Sequence, residues 1–208
     1  MFKFLRRIFR KMGKPEGNMG KILVGGMNAG HAKLTQWAFS HIHPGAGDKV
    51  LDIGCGGGAV VARFLDLCPS GEVTGIDVSD SSLTMTERFN KKEIEKGRCH
   101  VLKADVMNLP FEGESFEYIS AFETIYFWPD LTEAFREVRR VLRPGGVFVI
   151  CNEFNGLDKK DEKWKEVIDD LSIYTQYDIV NHLSEAGFTR VKCYKHEEFG
   201  WIMILCGY

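Results

Sequence analysis

Three aspartates, Asp52, Asp77 and Asp105, follow one another at intervals that could hold a small cationic ligand. The first lies in Val50-Leu51-Asp52-Ile53-Gly54-Cys55-Gly56-Gly57-Gly58-Ala59, an apolar run that turns into glycines two positions after the acid. A strand, a glycine turn and a helix start, in that order, let a ligand approach the backbone closely. Gly54, Gly56 and Ala59 also satisfy the GxGxxA fingerprint of dinucleotide sites, a short pattern that is weak by itself. Asp52 separates the two ligand classes. A pyrophosphate beside its carboxylate would meet like charge, at about 1 to 4 kcal/mol for ~4 Å depending on screening. A ligand carrying an ammonium and a sulfonium would gain by a similar amount, which favours S-adenosylmethionine over a nicotinamide dinucleotide.

Asp77 ends Gly75-Ile76-Asp77-Val78-Ser79, 25 positions after Asp52. An acceptor at that place can take hydrogen bonds from both hydroxyls of a ribose. A helix-capping role is the plainer reading, but Ser79 and Asp80 already supply caps. Asp105 sits in Ala104-Asp105-Val106-Met107-Asn108-Leu109-Pro110-Phe111, where it could accept an adenine amino group while Val106 covers a ring face. Each acid alone is unremarkable. Three at three successive strand ends share one edge of a sheet, and open α/β sheets bind ligands at that edge.

The elements that must carry these residues follow from periodicity. Apolar runs predict strands at 49–53, 72–77, 99–103, 117–122 and 147–151, alternating with helices at 59–67, about 79–96 and 131–142. Pro144-Gly145-Gly146 reads as the stop of the last of these. Beyond it, a charged helix is expected over 158–171, with Trp164, Ile168 and Leu171 on one face, and another over 177–186, stopped by Gly187. Strands at 189–194 and 201–206 are joined by the short polar segment 195–200. So short a connection implies an antiparallel hairpin, because a parallel crossover needs a dozen or more residues.

With 208 residues, 44% of them hydrophobic, the chain has the size of one domain with an ordinary core. No apolar run approaches the ~20 residues of a membrane-spanning helix. The six cysteines contain no CxxC pair, and neither they nor the six histidines have zinc-ligand spacing, so a reduced cytoplasmic protein without a metal is expected. Charge is uneven. Residues 1–14 hold Lys3, Arg6, Arg7, Arg10, Lys11 and Lys14 and no acid; without them, 21 of the 27 basic side chains face 29 acidic ones, a net of −8. An acidic body is poorly suited to tracking phosphates, which argues against a nucleic-acid partner. Phe4, Leu5, Ile8, Phe9 and Met12 recur at helical spacing within the basic segment, so residues 1–14 could lie on an anionic membrane surface at the inner face, or pack on the acidic domain. Residues 15–30 are glycine-rich and expected to be mobile, leaving 31–208 as the domain proper.

Together, Val50–Gly58, Gly75–Ser79, Ala104–Phe111, Phe122–Asp130 and Leu142-Arg143-Pro144-Gly145-Gly146 resemble, in order, the motifs of class I S-adenosylmethionine-dependent methyltransferases. The likeness is to the broad group that includes the ubiquinone and menaquinone biosynthesis enzymes, and it covers about residues 30–208. It implies a Rossmann-like α/β fold: a seven-stranded, mostly parallel sheet ordered 3-2-1-4-5-7-6, ending in the antiparallel hairpin already inferred. It also implies methyl transfer from S-adenosylmethionine to a small, partly apolar acceptor, leaving S-adenosylhomocysteine. The cofactor residues it implies are Asp52, Gly54, Cys55, Gly56, Asp77, Val78, Ser82, Asp105, Val106 and Phe122.

The acceptor end is implied by the same resemblance. Residues after the fourth and fifth strands face the transferred methyl in this family, which singles out Glu123 and Tyr126, then Asn152 and Glu153. Relatives often carry His near Tyr126; this chain has Tyr126-Phe127-Trp128, an aromatic wall. The Asn/Asp-Pro-Pro-Tyr pattern of enzymes that methylate base or glutamine amides is absent. The segment before the first strand folds over the cofactor in related enzymes, making His31 the leading general base and Trp37 a pocket residue, with Trp128, Glu153 and Tyr174 completing the pocket. Glu123 could serve as a base or hold the cofactor. A nicotinamide oxidoreductase and a non-catalytic S-adenosylmethionine-binding protein are the alternatives.

Overall fold

The computed structural model describes residues 31–166, 168 and 171–208, so the basic and glycine-rich segments expected over 1–30 lie outside the described residues. Seven strands build one sheet: β1 (Lys49–Ile53), β2 (Glu72–Asp77), β3 (Cys99–Lys103), β4 (Phe116–Phe122), β5 (Leu142–Asn152), β6 (Arg190–Lys195) and β7 (Ile202–Gly207). Their order is β3-β2-β1-β4-β5-β7-β6. β1 to β5 pair in parallel, and β7 runs antiparallel to both β5 and β6. The expected order and hairpin are therefore both present.

Parallel pairing demands crossovers, and helices supply most of them. α1 (Ala32–Phe39) precedes β1, α2 (Ala59–Leu67) joins β1 to β2, and α3 (Asp80–Phe89) with α4 (Lys91–Glu95) joins β2 to β3. α5 (Leu131–Val141) joins β4 to β5, while α6 (Lys159–Lys165) and α7 (Gln176–Glu185) lie between β5 and β6. Strands buried on both faces read as continuous apolar runs, as in β1 and β4. One face packs Leu51, Ile119 and Ile150 against α5 and α7. The other packs Val50, Val73 and Val149 against α1 and α2.

α5 shows why a helix forms here. Leu131, Ala134, Phe135, Val138 and Val141 repeat at intervals of three and four and are all buried. The Asp130 carboxylate caps the start by accepting from the Glu133 N–H at 3.0 Å, and Arg139 and Arg140 occupy the last turn, where cations suit the exposed carbonyls.

Three boundaries differ from the sequence reading. The single helix expected to about residue 96 is broken at Asn90, whose amide donates to the carbonyls of Gly58 and Thr86, both at 3.1 Å. The helix expected to 142 stops at Val141, because Leu142 is already extended and pairs with Phe116. Pro144-Gly145-Gly146 is thus not the helix stop; it forms a bulge within β5, between Leu142 and Val147. The helix expected over 158–171 is described only as α6, ending at Lys165, with Ile168 in a bend beyond it.

Asn90 ties α3 to the glycine turn. Replacing it with Ala leaves the Gly58 carbonyl without that donor, and Asn90→Ala is expected to lower stability by about 1–3 kcal/mol in urea denaturation. An unchanged midpoint would show that the turn holds without it.

Candidate active site

The strand order reverses between β1 and β4, the place where an open α/β sheet leaves a crevice at its carboxyl edge. A cavity of about 240 Å³ opens there. Its floor is the turn after β1, which two features force into shape. Gly54 and Cys55 both donate their N–H to the Ile76 carbonyl, at 2.8 and 2.9 Å. Gly54 has φ +76°, and a Cβ on it would stand 2.3 Å from Thr124 Oγ1, so no other residue fits. Gly58, at φ +81°, is equally constrained, since a Cβ would meet Asn90 Nδ2 at 2.6 Å. From α3, Thr86 Oγ1 donates to the Gly56 carbonyl at 2.9 Å.

The acids line this floor. Asp52 is 2% exposed, and its Oδ1 accepts from Ser120 Oγ at 2.6 Å, its register partner on β4. Burial pushes its carboxyl up to about 7; the Ser120 bond opposes this, and the negative Asp77 adds to it. Asp77 accepts from the N–H of Gly56 at 3.0 Å and of Ser79 at 2.8 Å. Burial raises it as well, against those bonds. Asp105 is exposed and accepts from the Met107 N–H at 3.0 Å. Val78, Ser82, Val106 and Phe122 complete this part of the wall, and Ser79 caps α3 by accepting from the Ser82 N–H. Cys55 lines the cavity too, but burial drives its thiol well above the ordinary value, so it stays unreactive.

At the other end stands Glu123, immediately after β4, at the left-handed φ of 56°. Its N–H donates to the Cys151 carbonyl at 2.9 Å. Its Oε1 accepts from the Glu153 N–H and from the Tyr126 hydroxyl, and that hydroxyl in turn accepts from the Phe154 N–H at 3.0 Å. Burial pushes the Glu123 carboxyl up to about 8; the Glu153 N–H lowers it, and the Glu153 charge raises it. His31, at the start of α1, brings Nε2 to 3.7 Å from Glu123 Oε2 and 3.8 Å from Glu153 Oε2. Burial lowers its pKa, with Glu153 pulling the other way, so the imidazole is neutral near pH 7.

His31, Glu123, Trp128 and all ten residues read as cofactor contacts thus meet at one cavity, and Glu153 approaches His31 beside it. Three residues sit elsewhere. Tyr126 is buried behind Glu123, outside the wall, and burial holds its phenol protonated, so it positions Glu123 and is no base. Trp37 packs its ring on His196 and Trp201 of the hairpin, at 5.5 and 6.1 Å. Tyr174 packs against the core beside His182. Ser120, Thr124, Thr86, Leu34 and Thr35 shape the site and were not singled out from the sequence. Of these, Ser120 alone had a usable signal, lying opposite Asp52 once the strands are registered.

Residues 51–150 match the family described as methyltransferase domain. The chain carries a class I S-adenosylmethionine-dependent methyltransferase domain. It is similar to the methyltransferase GfsG of Streptomyces halstedii, 35% identical over 120 residues, which are 58% of this chain and 43% of that protein. It is also similar to the demethylmenaquinone methyltransferase of Staphylococcus haemolyticus, 36% identical over 124 residues, 59% of this chain and 50% of the other. The chain thus spans about half the length of the curated relatives it matches. A solved S-adenosylmethionine-dependent methyltransferase from Aquifex aeolicus shares the fold at a TM-score of 0.73 and 15% identity, covering 89% of this chain and 97% of that one.

The floor of the methyltransferase domain fits that cofactor: a buried carboxylate with one oxygen unbonded among the described residues, a second acid at the β2 end, and a glycine turn with no side chain in the way. Both Asp52 and Glu123 bind protons more tightly folded than unfolded. Their contribution to the ligand-free fold is therefore complete below about pH 4 and is lost as pH rises through 7 and 8. A cationic cofactor reverses the preference at Asp52. Its affinity is expected to climb up to ~tenfold per pH unit between about pH 5 and 7, and Asp52→Asn to flatten that slope in calorimetry.

Proposed function

We propose that the chain is a methyltransferase that transfers the methyl of S-adenosylmethionine to a small, partly apolar acceptor by in-line displacement. The observation that carries this reading is the division of one cavity into two ends, with Asp52, Asp77 and Asp105 at one and His31, Glu123 and Glu153 at the other. The cofactor supplies an electrophilic methyl on a sulfonium; what the chain contributes is position and a dry pocket.

Asp52 holds the positive end through the carboxylate oxygen that Ser120 leaves free. Asp77, which accepts from the Gly56 and Ser79 N–H groups and is also approached by Ser82 and Val78, presents its carboxylate to the ribose. Phe127, Trp128 and Leu34 give the acceptor an apolar wall. A neutral His31 can take a proton at Nε2 from a hydroxyl or an acidic C–H, with the Glu153 carboxylate close enough to favour the resulting cation. The relative named for demethylmenaquinone supports a ring-bearing acceptor with an apolar tail. If such an acceptor resides in a membrane, residues 1–14 would bring the domain to it. Removing them is then expected to reduce co-sedimentation with anionic liposomes, and identical behaviour of the two chains would sink the membrane part of the proposal.

Calorimetric titration tests the cofactor directly. Micromolar binding of S-adenosylmethionine and S-adenosylhomocysteine is expected, with none of NADH, and Asp77→Ala should weaken the first two by at least ~tenfold, about 1.4 kcal/mol, without unfolding the chain. Binding of NADH alone would overturn the reading of Asp52, and unchanged affinity in Asp77→Ala that of the ribose contact.

A further inference from the structure

We propose that His31, Glu123 and Glu153 form a site for one divalent cation of the zinc or manganese type at the acceptor end of the cavity. One imidazole nitrogen and two carboxylate oxygens lie within 4.8 Å of one another. The separations from His31 Nε2, 3.7 and 3.8 Å, are too long for hydrogen bonds. They are close to what a shared ion needs, because two ligands each ~2.1 Å from a metal stand roughly 3 to 4 Å apart. Small side-chain rotations close the difference.

A second observation is independent of that spacing. The Glu123 side chain is only 9% exposed, and both of its hydrogen bonds go to Oε1. Its Oε2 has no hydrogen-bond donor among the described residues, yet it faces His31 at the cavity wall. That oxygen borders the cavity, so a cation entering there could take it as a ligand. No Lys or Arg is found among the described residues of the wall. The imidazole of His31 likewise has no hydrogen-bond partner among the described residues, so its lone pair is free for a metal. One nitrogen with two oxygens suits Zn²⁺ or Mn²⁺ better than Mg²⁺, which prefers an all-oxygen shell.

The three residues come from the start of α1, the end of β4 and the end of β5, so no spacing in the sequence announces them. Their open side faces the cavity. A bound ion there would lower the pKa of an acceptor hydroxyl, phenolic or enolic, so that its proton passes to water at the open side of the cavity. That acceptor class rests on the methyltransferase reading, whereas the cation site does not. With an ion in place His31 is a ligand, and the need for it as a base disappears.

The test uses the full, untagged chain stripped by a chelator and titrated with Mn²⁺ under electron paramagnetic resonance, with Zn²⁺ as competitor. One ion per chain is expected, displaced by Zn²⁺, and Glu153→Gln and His31→Ala should each weaken it at least ~tenfold. Glu153 is 41% exposed, so its variant tests the site without disturbing the core. Failure of the wild-type chain to bind Mn²⁺ or Zn²⁺ below ~1 mM, or variants that bind as the wild type does, would overturn the proposal. S-adenosylhomocysteine binding to the wild-type chain, with and without chelator, keeps this outcome separate from the cofactor reading.

Discussion

The Ile76 carbonyl receives two backbone N–H groups, from Gly54 and Cys55, and this pair of bonds fixes where the chain leaves β1. Everything at the floor of the cavity inherits its position from that turn. α2 can begin at Ala59 only because Gly58 lets Asn90 and Thr86 of the next crossover press against the backbone. Thr124, from beyond β4, fills the space that any side chain on Gly54 would need. One turn is thus clamped from β2, α3 and the segment after β4, which makes its geometry insensitive to motion in any single element. A ligand meeting that floor finds it already organised, and little ordering entropy opposes binding.

The second constraint is electrostatic. Asp52, Asp77 and Glu123 are withdrawn from water, and the described wall offers them no cationic side chain. Hydrogen bonds to Ser120, Gly56, Ser79 and Glu153 offset only part of the loss of hydration. Such a cavity has a built-in preference for positive ligands, and the preference strengthens as pH rises and the acids ionise. The same arrangement disfavours nucleotide phosphates, although a glycine turn before a helix could otherwise suit them.

The two ends of the cavity differ in how well the sequence announces them. Asp52 and Asp77 lie within the last two positions of β1 and β2, and Asp105 follows β3 by two residues, so local pattern alone places them on one edge. The hairpin was legible from the length of its connection, which decides parallel from antiparallel, whereas the strand order came only with the resemblance to methyltransferases. Trp37 and Tyr174 were misplaced because membership of a segment says nothing of where along it the cavity lies. Trp37 is six residues past His31, about 9 Å further along α1. There the helix crosses the β6–β7 hairpin, and the ring is taken up by His196 and Trp201. Asn90 interrupts an otherwise helical pattern through bonds to a loop 32 positions earlier, which periodicity cannot register.

That asymmetry bears on how such a domain can change substrate. The floor is built from contiguous motifs whose residues hold one another, so a substitution there disturbs the turn as well as the ligand. The acceptor end is assembled from three segments that share no motif, and only Glu123 is braced, by Tyr126 and the Glu153 N–H. Its left-handed backbone is a strained conformation for a residue with a side chain, kept by those bonds and by the Cys151 carbonyl. The bracing fixes that carboxyl group, while the side chains of His31 and Glu153 join the cluster only by approach, His31 to Glu123 and Glu153 to His31. Replacing either of those two leaves the fold's hydrogen bonds intact, so the chemistry of the acceptor can vary on a floor that cannot.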